Sequence, residues 1–312
     1  MLRLFVRRGG SLLKRKRRGM IVAFLAPTVF LYVVVFLYPV LRTGAMSLFK
    51  IESVDQPLST WSFYGLNNYI DMFKSQLFVT SVKNIAKIWL VGGVFVLTIA
   101  LMFAVILTSG IRGKKFYRSI IYLPNVISAV AMGTMWLNYI YNIDYGMLNN
   151  ILTKFGFSPV MWTGPGTQFW SMTIAYGFGM VGYHMLIFIS GIERISIEYY
   201  EAASLEGANI FQKFFNITLP LLKGVIRSNI VIWTVSVAGF FVWGQLFSPV
   251  NLSNDTVTPV NYMYEIVFGG SSSANIARNT GGGAAIGVMM ALMVVVISLV
   301  SNLITRNDDV EI

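Results

Sequence analysis

Side chains able to carry covalent chemistry are scarce in this sequence of 312 residues. Cysteine is absent, and His184 is the single histidine. These two facts exclude disulfide frameworks, thiolate zinc sites, iron–sulfur ligation, cysteine nucleophiles and multi-histidine metal centres, and they leave a serine–histidine pair one possible base. No G-x-x-x-x-G-K-[ST] phosphate cradle occurs. The glycines at 269–270 and 281–283 have no Lys-Ser or Lys-Thr behind them and read as a flexible surface turn in an outward loop. Any nucleotide that drives this protein is therefore expected on another chain. The densest cluster of useful residues runs from Glu193 to Leu221. Ser196 can cap a short helix whose first turns carry Glu198 and Glu201 near its positive end. Gly207, following Glu206, can end that helix in the left-handed conformation. Asn209 with Gln212 forms a capping-box pattern for a second short helix, and Pro220 suits the first turn of a further one. Ala202 and Ala203 keep the surface flat for close approach, and Glu201 offers a charge to a basic partner. The chemistry of such a helix–turn–helix elbow is mechanical docking; the competing reading is a solvated amphipathic connector.

The elements that must position this elbow follow from composition. Charged residues make up 12% and hydrophobic residues 55%, with a mean hydropathy of +0.66. A soluble domain carries about 25% charged residues, so a disordered chain and a soluble enzyme are excluded and an integral membrane protein is implied. Asp, Glu, Lys and Arg are missing from 19–41, 88–111, 119–143, 155–192, 228–254 and 279–305. About 20 apolar residues cross the hydrocarbon core, and unbroken rather than alternating runs mean helices rather than barrel strands. Six spans are predicted near 20–46, 84–109, 117–141, 168–191, 225–248 and 284–305. Pro27 and Pro39 predict a kink or slanted end in the first. Phe155 to Thr167 reads as a turn-rich loop. The organisation is then a basic segment 1–18, a first helix 19–46, an extracytoplasmic loop 47–83, a core of five spanning helices over 84–305 containing the elbow 192–223, and an acidic tail 306–312. Seventeen of the 24 Lys and Arg residues fall on the side of the two termini, which the positive-inside rule places in the cytoplasm. The Lys14–Arg18 cluster reads as an orientation and lipid anchor, with no nucleic acid involved. The first apolar run is too long and too proline-rich for a cleaved signal peptide. No carboxylate lies in the six spans, so proton coupling is disfavoured and His184 is expected to be a hydrogen-bonded packing residue. Sodium coupling through backbone carbonyls stays open.

Glu201-Ala202-Ala203, then Gly207, then Ile217-x-Leu219-Pro220 resembles the EAA signature of ABC-importer permeases, with Glu206 where that family often has Asp. Tyr64-Gly-Leu-Asn-Asn-Tyr-Ile-Asp-Met-Phe73, Tyr117-Arg-Ser-Ile-Ile-Tyr-Leu-Pro-Asn125 and Tyr145-Gly-Met-Leu-Asn-Asn150 are similar to the carbohydrate-uptake branch, the relatives of the maltose-transporter first permease. The likeness covers roughly 20–305. It implies an all-α type I importer permease with six transmembrane helices in a bacterial or archaeal plasma membrane, both termini cytoplasmic. In that family Glu201, Ala202, Ala203, Glu206, Gly207 and Pro220 would belong to a coupling helix seated in an ATPase cleft. The implied partners are a homologous second permease forming a heterodimer, two ATP-binding cassette subunits, an extracellular solute-binding protein, a carbohydrate substrate and membrane lipid. The chain itself would hold no cofactor and catalyse no covalent step, with ATP and Mg on the partner ATPase.

The resemblance also implies substrate contacts on the helices flanking the elbow, at Tyr176, Gly179, Met180 and Tyr183, then at Trp233, Ser236, Val237 and Phe240. Each set follows i, i+3, i+4, i+7 spacing and so shares one helix face. Tyr and Trp suit sugars because an apolar ring face adjoins a polar edge. Val237 and Phe240 stand where the maltose system uses amides, which counts against maltose itself. The alternatives are a permease for another solute, such as glycerol phosphate or a peptide, and a stand-alone ion-coupled transporter. The lack of Lys or Arg at depth weighs against a phosphorylated solute, and the scarcity of acid–base groups weighs against a membrane enzyme. The polar outer loops 47–83 and 249–283 fit receptor docking, with Trp61, Tyr64 and Trp162 as an interfacial belt.

Overall fold

Charge-free apolar runs can satisfy their backbone only internally in lipid, and they become helices. The computed structural model describes residues 20–249, 252–269 and 277–305. The Lys14–Arg18 cluster, Gly270 and the acidic tail lie outside the described residues. Among the described residues thirteen helices follow in order: α1 (Met20–Met46), α2 (Asn67–Lys74), α3 (Gln76–Thr108), α4 (Lys114–Val126), α5 (Ala129–Ile140), α6 (Met147–Lys154), α7 (Gln168–Ile192), α8 (Ile197–Leu205), α9 (Ile210–Leu221), α10 (Lys223–Ala238), α11 (Val242–Phe247), α12 (Pro259–Phe268) and α13 (Thr280–Thr305). The only sheet among the described residues is a small hairpin, β1 (Phe49–Lys50) antiparallel to β2 (Ser62–Phe63), with Phe49 opposite Phe63. Four helices, α1, α3, α7 and α13, are long and apolar enough to cross a membrane, and the pairs α4/α5 and α9/α10 bring the number to six if each is one span.

Several expected spans are corrected. Residues 117–141 form no straight rod: α4 and α5 meet at 97°. Pro124, which removes an N–H from the last turn of α4, precedes the break, and the Ser128 side chain accepts from the Ala131 N–H to start α5. Residues 225–248 are likewise interrupted, because α10 ends at Ala238 and α11 starts at Val242. The carbonyls of Phe240 and Phe241 freed there accept from Thr258 Oγ1 (2.7 Å) and Asn261 Nδ2 (3.0 Å). The second span begins at Gln76 rather than 84, with Ser75 as its cap, so the loop after α1 is shorter than predicted and carries β1, β2 and α2. In α1 a π-turn at Tyr32–Leu37 stands just ahead of Pro39, in the stretch where the prolines predict a kink or slanted end. Gly281–Gly283 are not a flexible turn but the first turn of α13. A Cβ on Gly281 would strike the Phe49 carbonyl, and one on Gly283 would strike Val267.

The buried core has three parts. One joins α3, α5, α7, α10 and α11 around Tyr176 and Trp233; a second joins α3 and α7 to Leu222; the third joins α2, α12 and α13 around Phe78. The most apolar stretch of α1 has none of its residues buried; only its Met46 end leans on α13.

Candidate functional site

The elbow is built by local capping. Ser196 Oγ accepts from the Glu198 N–H at 3.4 Å, placing Glu198 in the first turn of α8. At the other end Gly207 adopts φ +79°, and the Ala208 N–H reaches back to the Ala203 carbonyl at 2.9 Å, so the last carbonyls of α8 are satisfied. Asn209 and Gln212 exchange both capping-box bonds, at 2.7 and 2.9 Å, as the sequence predicts. Two contacts that sequence reasoning missed strap α8 onto α9: Tyr200 Oη with Thr218 Oγ1 (2.9 Å), and Lys213 Nζ donating to Ser204 Oγ (2.6 Å). Pro220 lies in the last turn of α9, behind a π-turn at Phe214–Thr218 and before the 66° bend to α10, rather than opening the next span.

Glu201, Ala202, Glu206 and Gly207 are exposed, and Ala203 is half-buried. The tip around Gly207 is apolar and open: Leu205 is 91% exposed, Ile210 79% and Phe211 75%. Such a patch on a well-capped motif is free to lie against another surface. Their signal in the sequence was three large apolar residues flanking a helix-ending glycine. Next to the elbow, the Arg118 guanidinium donates to Glu193 Oε1 at 2.6 Å, fastening the start of α4 to the end of α7.

The two aromatic-bearing faces converge in the bundle. Tyr176 lies against Trp233 (5.5 Å), Phe240 (4.8 Å) and Trp243 (6.0 Å) between ring centroids. Tyr176, Trp233, Val237 and Phe240 are buried in the subunit's own core, whereas Gly179, Met180, Tyr183 and Ser236 remain partly exposed. The polar edge of Trp233 is already engaged: its Nε1–H donates to the Trp89 carbonyl (2.9 Å), while Trp89 Nε1–H donates to Thr234 Oγ1 (2.8 Å). This reciprocal clasp forms where α3 has a π-turn, Ile88–Gly92, and Gly93 leaves room for the indole. His184 is buried and forms a 2.7 Å hydrogen bond with Asn229 through Nδ1. Because the Asn229 amide nitrogen donates to the Val225 carbonyl, its oxygen faces the ring and Nδ1 is the donor. Asn125, which sequence reasoning missed, donates to the Gly179 carbonyl at 3.2 Å beside the α4/α5 break. Among the described residues no group of acidic or histidine side chains could hold a metal.

Membrane-length helices packed into one bundle, with a capped elbow at its surface, define a multi-span membrane protein. The family model for the binding-protein-dependent transport system inner membrane component matches residues 96–307, and the chain belongs to that family of ABC-importer permeases. The chain is 30% identical to the arabinooligosaccharides transport system permease protein AraP of Bacillus subtilis (strain 168), over 89% of this chain and 86% of that one. It is 29% identical to the probable starch degradation products transport system permease protein AmyD of Thermoanaerobacterium thermosulfurigenes, over 92% and 94%. Its fold matches a chain of a bacterial ABC transporter involved in the import of the acidic polysaccharide alginate, with a TM-score of 0.80 and 22% identity, over 96% of this chain and 99% of that one.

Proposed function

We propose that this chain is the translocating permease of an ATP-driven carbohydrate importer and works by alternating access. The observation that carries the reading is the elbow: a doubly capped, strapped helix pair with a bare apolar tip and Glu201 beside it, built to be gripped and pushed. Its grip is assigned to an ATP-binding cassette subunit, which holds the ATP and Mg and performs the hydrolysis. The carbohydrate class is supported by relatives that act on arabinooligosaccharides and starch degradation products. The lack of buried cations in the spans favours a neutral solute over glycerol phosphate. A homologous second permease covers the faces of α1 that this chain leaves bare. A solute-binding protein docks on the opposite side from the elbow, over α2 and the hairpin. The bias of Lys and Arg toward the side of the termini supports a cytoplasmic position for both.

Within the bundle, Gly179, Met180, Tyr183 and Ser236 form the substrate-facing surface, with Asn125 at its edge. Tyr176, Trp233, Val237 and Phe240 back it from the core. The test is uptake by proteoliposomes holding the complete complex, with labelled oligosaccharides and glycerol phosphate as competing cargoes. ATP-dependent oligosaccharide uptake is expected, weakened by Tyr183→Ala and Ser236→Leu. Accumulation by this chain alone without ATP rejects the mechanism, and preferential glycerol phosphate uptake rejects the substrate class.

A further inference from the structure

His184 stands within α7, fully buried, and the solute route proposed above gives it no part. Its Nδ1–H donates to Asn229 Oδ1 at 2.7 Å, and Asn229, on α10, is fully buried as well. Among the described residues no other side-chain hydrogen bond joins α7 to α10. The ring stands edge-on to Tyr183 (5.5 Å) and to Trp233 (5.9 Å) between centroids. With the proton on Nδ1, Nε2 is a bare acceptor, and it is buried without a partner. An acceptor left unpaired away from water is costly. A phenylalanine facing an apolar partner would fill the same space without that penalty. Packing alone therefore does not account for a histidine here; the bond to Asn229 does. That bond lies where the two halves of the solute-facing surface meet. Tyr183 directly precedes His184, and Ser236 lies about two turns beyond Asn229 on α10. Sliding α10 by one residue would shift Ser236 about 1.5 Å against Tyr183. A hydrogen bond keeps its strength over a window of only about 0.5 Å, so the two side chains could not grip one solute in both registers.

We propose that His184 is a positioning residue for solute recognition: by bonding Asn229 it locks α10 against α7, so that Tyr183 and Ser236 meet the same solute. The inference rests on the solute-facing surface of the proposed function. The test follows KM and Vmax of labelled oligosaccharide uptake by proteoliposomes holding the complete complex, together with the melting temperature of each variant. His184→Phe keeps a ring and removes the bond. Its KM should rise about tenfold, the loss of one well-placed hydrogen bond, with Vmax within about twofold of the parent. His184→Asn restores an N–H near the Nδ1 position but leaves a cavity, so it should melt below His184→Phe and yet keep KM within about twofold of the parent. Asn229→Leu should raise KM as His184→Phe does, and it carries the test should His184→Phe fail to fold. The double variant removes the unpaired acceptors along with the bond, so it should recover melting temperature but raise KM no further than either single variant. Unchanged KM in His184→Phe or in Asn229→Leu, or a KM that simply follows melting temperature across the series, overturns the proposal while the parent's uptake stands. A parent complex that takes up no oligosaccharide brings down the solute reading itself, and this inference with it.

Discussion

Trimming the elbow tip separates a docking surface from a connector. Leu205 is 91% exposed, so in the isolated subunit its side chain supports nothing, and Leu205→Ala should leave the melting temperature unchanged. Seated in a partner's cleft, the same side chain becomes buried. Replacing leucine by alanine then removes three carbons worth about 0.8 kcal/mol each on burial, or about 2 kcal/mol of association. That corresponds to an ATPase dissociation constant about thirtyfold weaker. Leu205→Lys adds the desolvation of a charge and should weaken binding further. Titration of nanodisc-held permease with the cassette subunits, followed by interferometry with thermal melts alongside, reads both quantities. Unchanged affinity in both variants refutes the docking assignment, and a lowered melting temperature refutes the claim that the tip is free in the subunit.

Three further outcomes are expected. Glu201→Lys should leave the permease folded while ATP hydrolysis no longer drives uptake; normal coupled transport in that variant removes Glu201 from the mechanism. Gly93→Val should push Trp233 off the Trp89 carbonyl, because even a Cβ there comes within 2.6 Å of the indole nitrogen. Overpacking and the lost bond together cost about 2 kcal/mol, and a melting temperature equal to the parent's contradicts the clasp. In α2, on the loop after α1, bonds from Lys74 and Tyr64 hold the Asp71 carboxyl below its ordinary value. A depressed carboxylate stabilises the fold above its unfolded-state pKa and loses that contribution as the pH falls through the folded value. Asp71→Asn should therefore flatten the acid side of the pH–melting curve, and an identical curve in the variant excludes the contribution.

Local signals were legible and nonlocal ones were not. The caps at Ser196 and Asn209 could be read because a capping side chain bonds backbone two or three residues away. The α7 boundaries, Gln168 and Ile192, nearly match the predicted span 168–191 because nothing interrupts that helix. The breaks after Val126 and Ala238 escaped hydropathy because both flanks are equally apolar. What permits the second is a pair of donors, Thr258 and Asn261, that arrive from a later loop. Burial of Trp233 depends on a carbonyl 144 residues away, so its shared face with Ser236 could be read but not which of the two stays open. Gly281 reads as part of a flexible turn in the sequence because its helical role comes from the nearness of the Phe49 backbone, which only the folded hairpin creates.

The crease between α4 and α5 also fixes which side of the subunit can look toward the surrounding oil. Val126, Ile127 and Ser128 are uncovered in this chain, and a helix that stops and restarts leaves peptide groups without intrahelical partners. Fatty tails offer such groups no donor or acceptor, so a crease inside the hydrocarbon is tolerated only against protein or in a water-filled cavity. A crease at that level would turn the azimuth holding Ile127 toward a neighbouring subunit or the aqueous path rather than toward the oil.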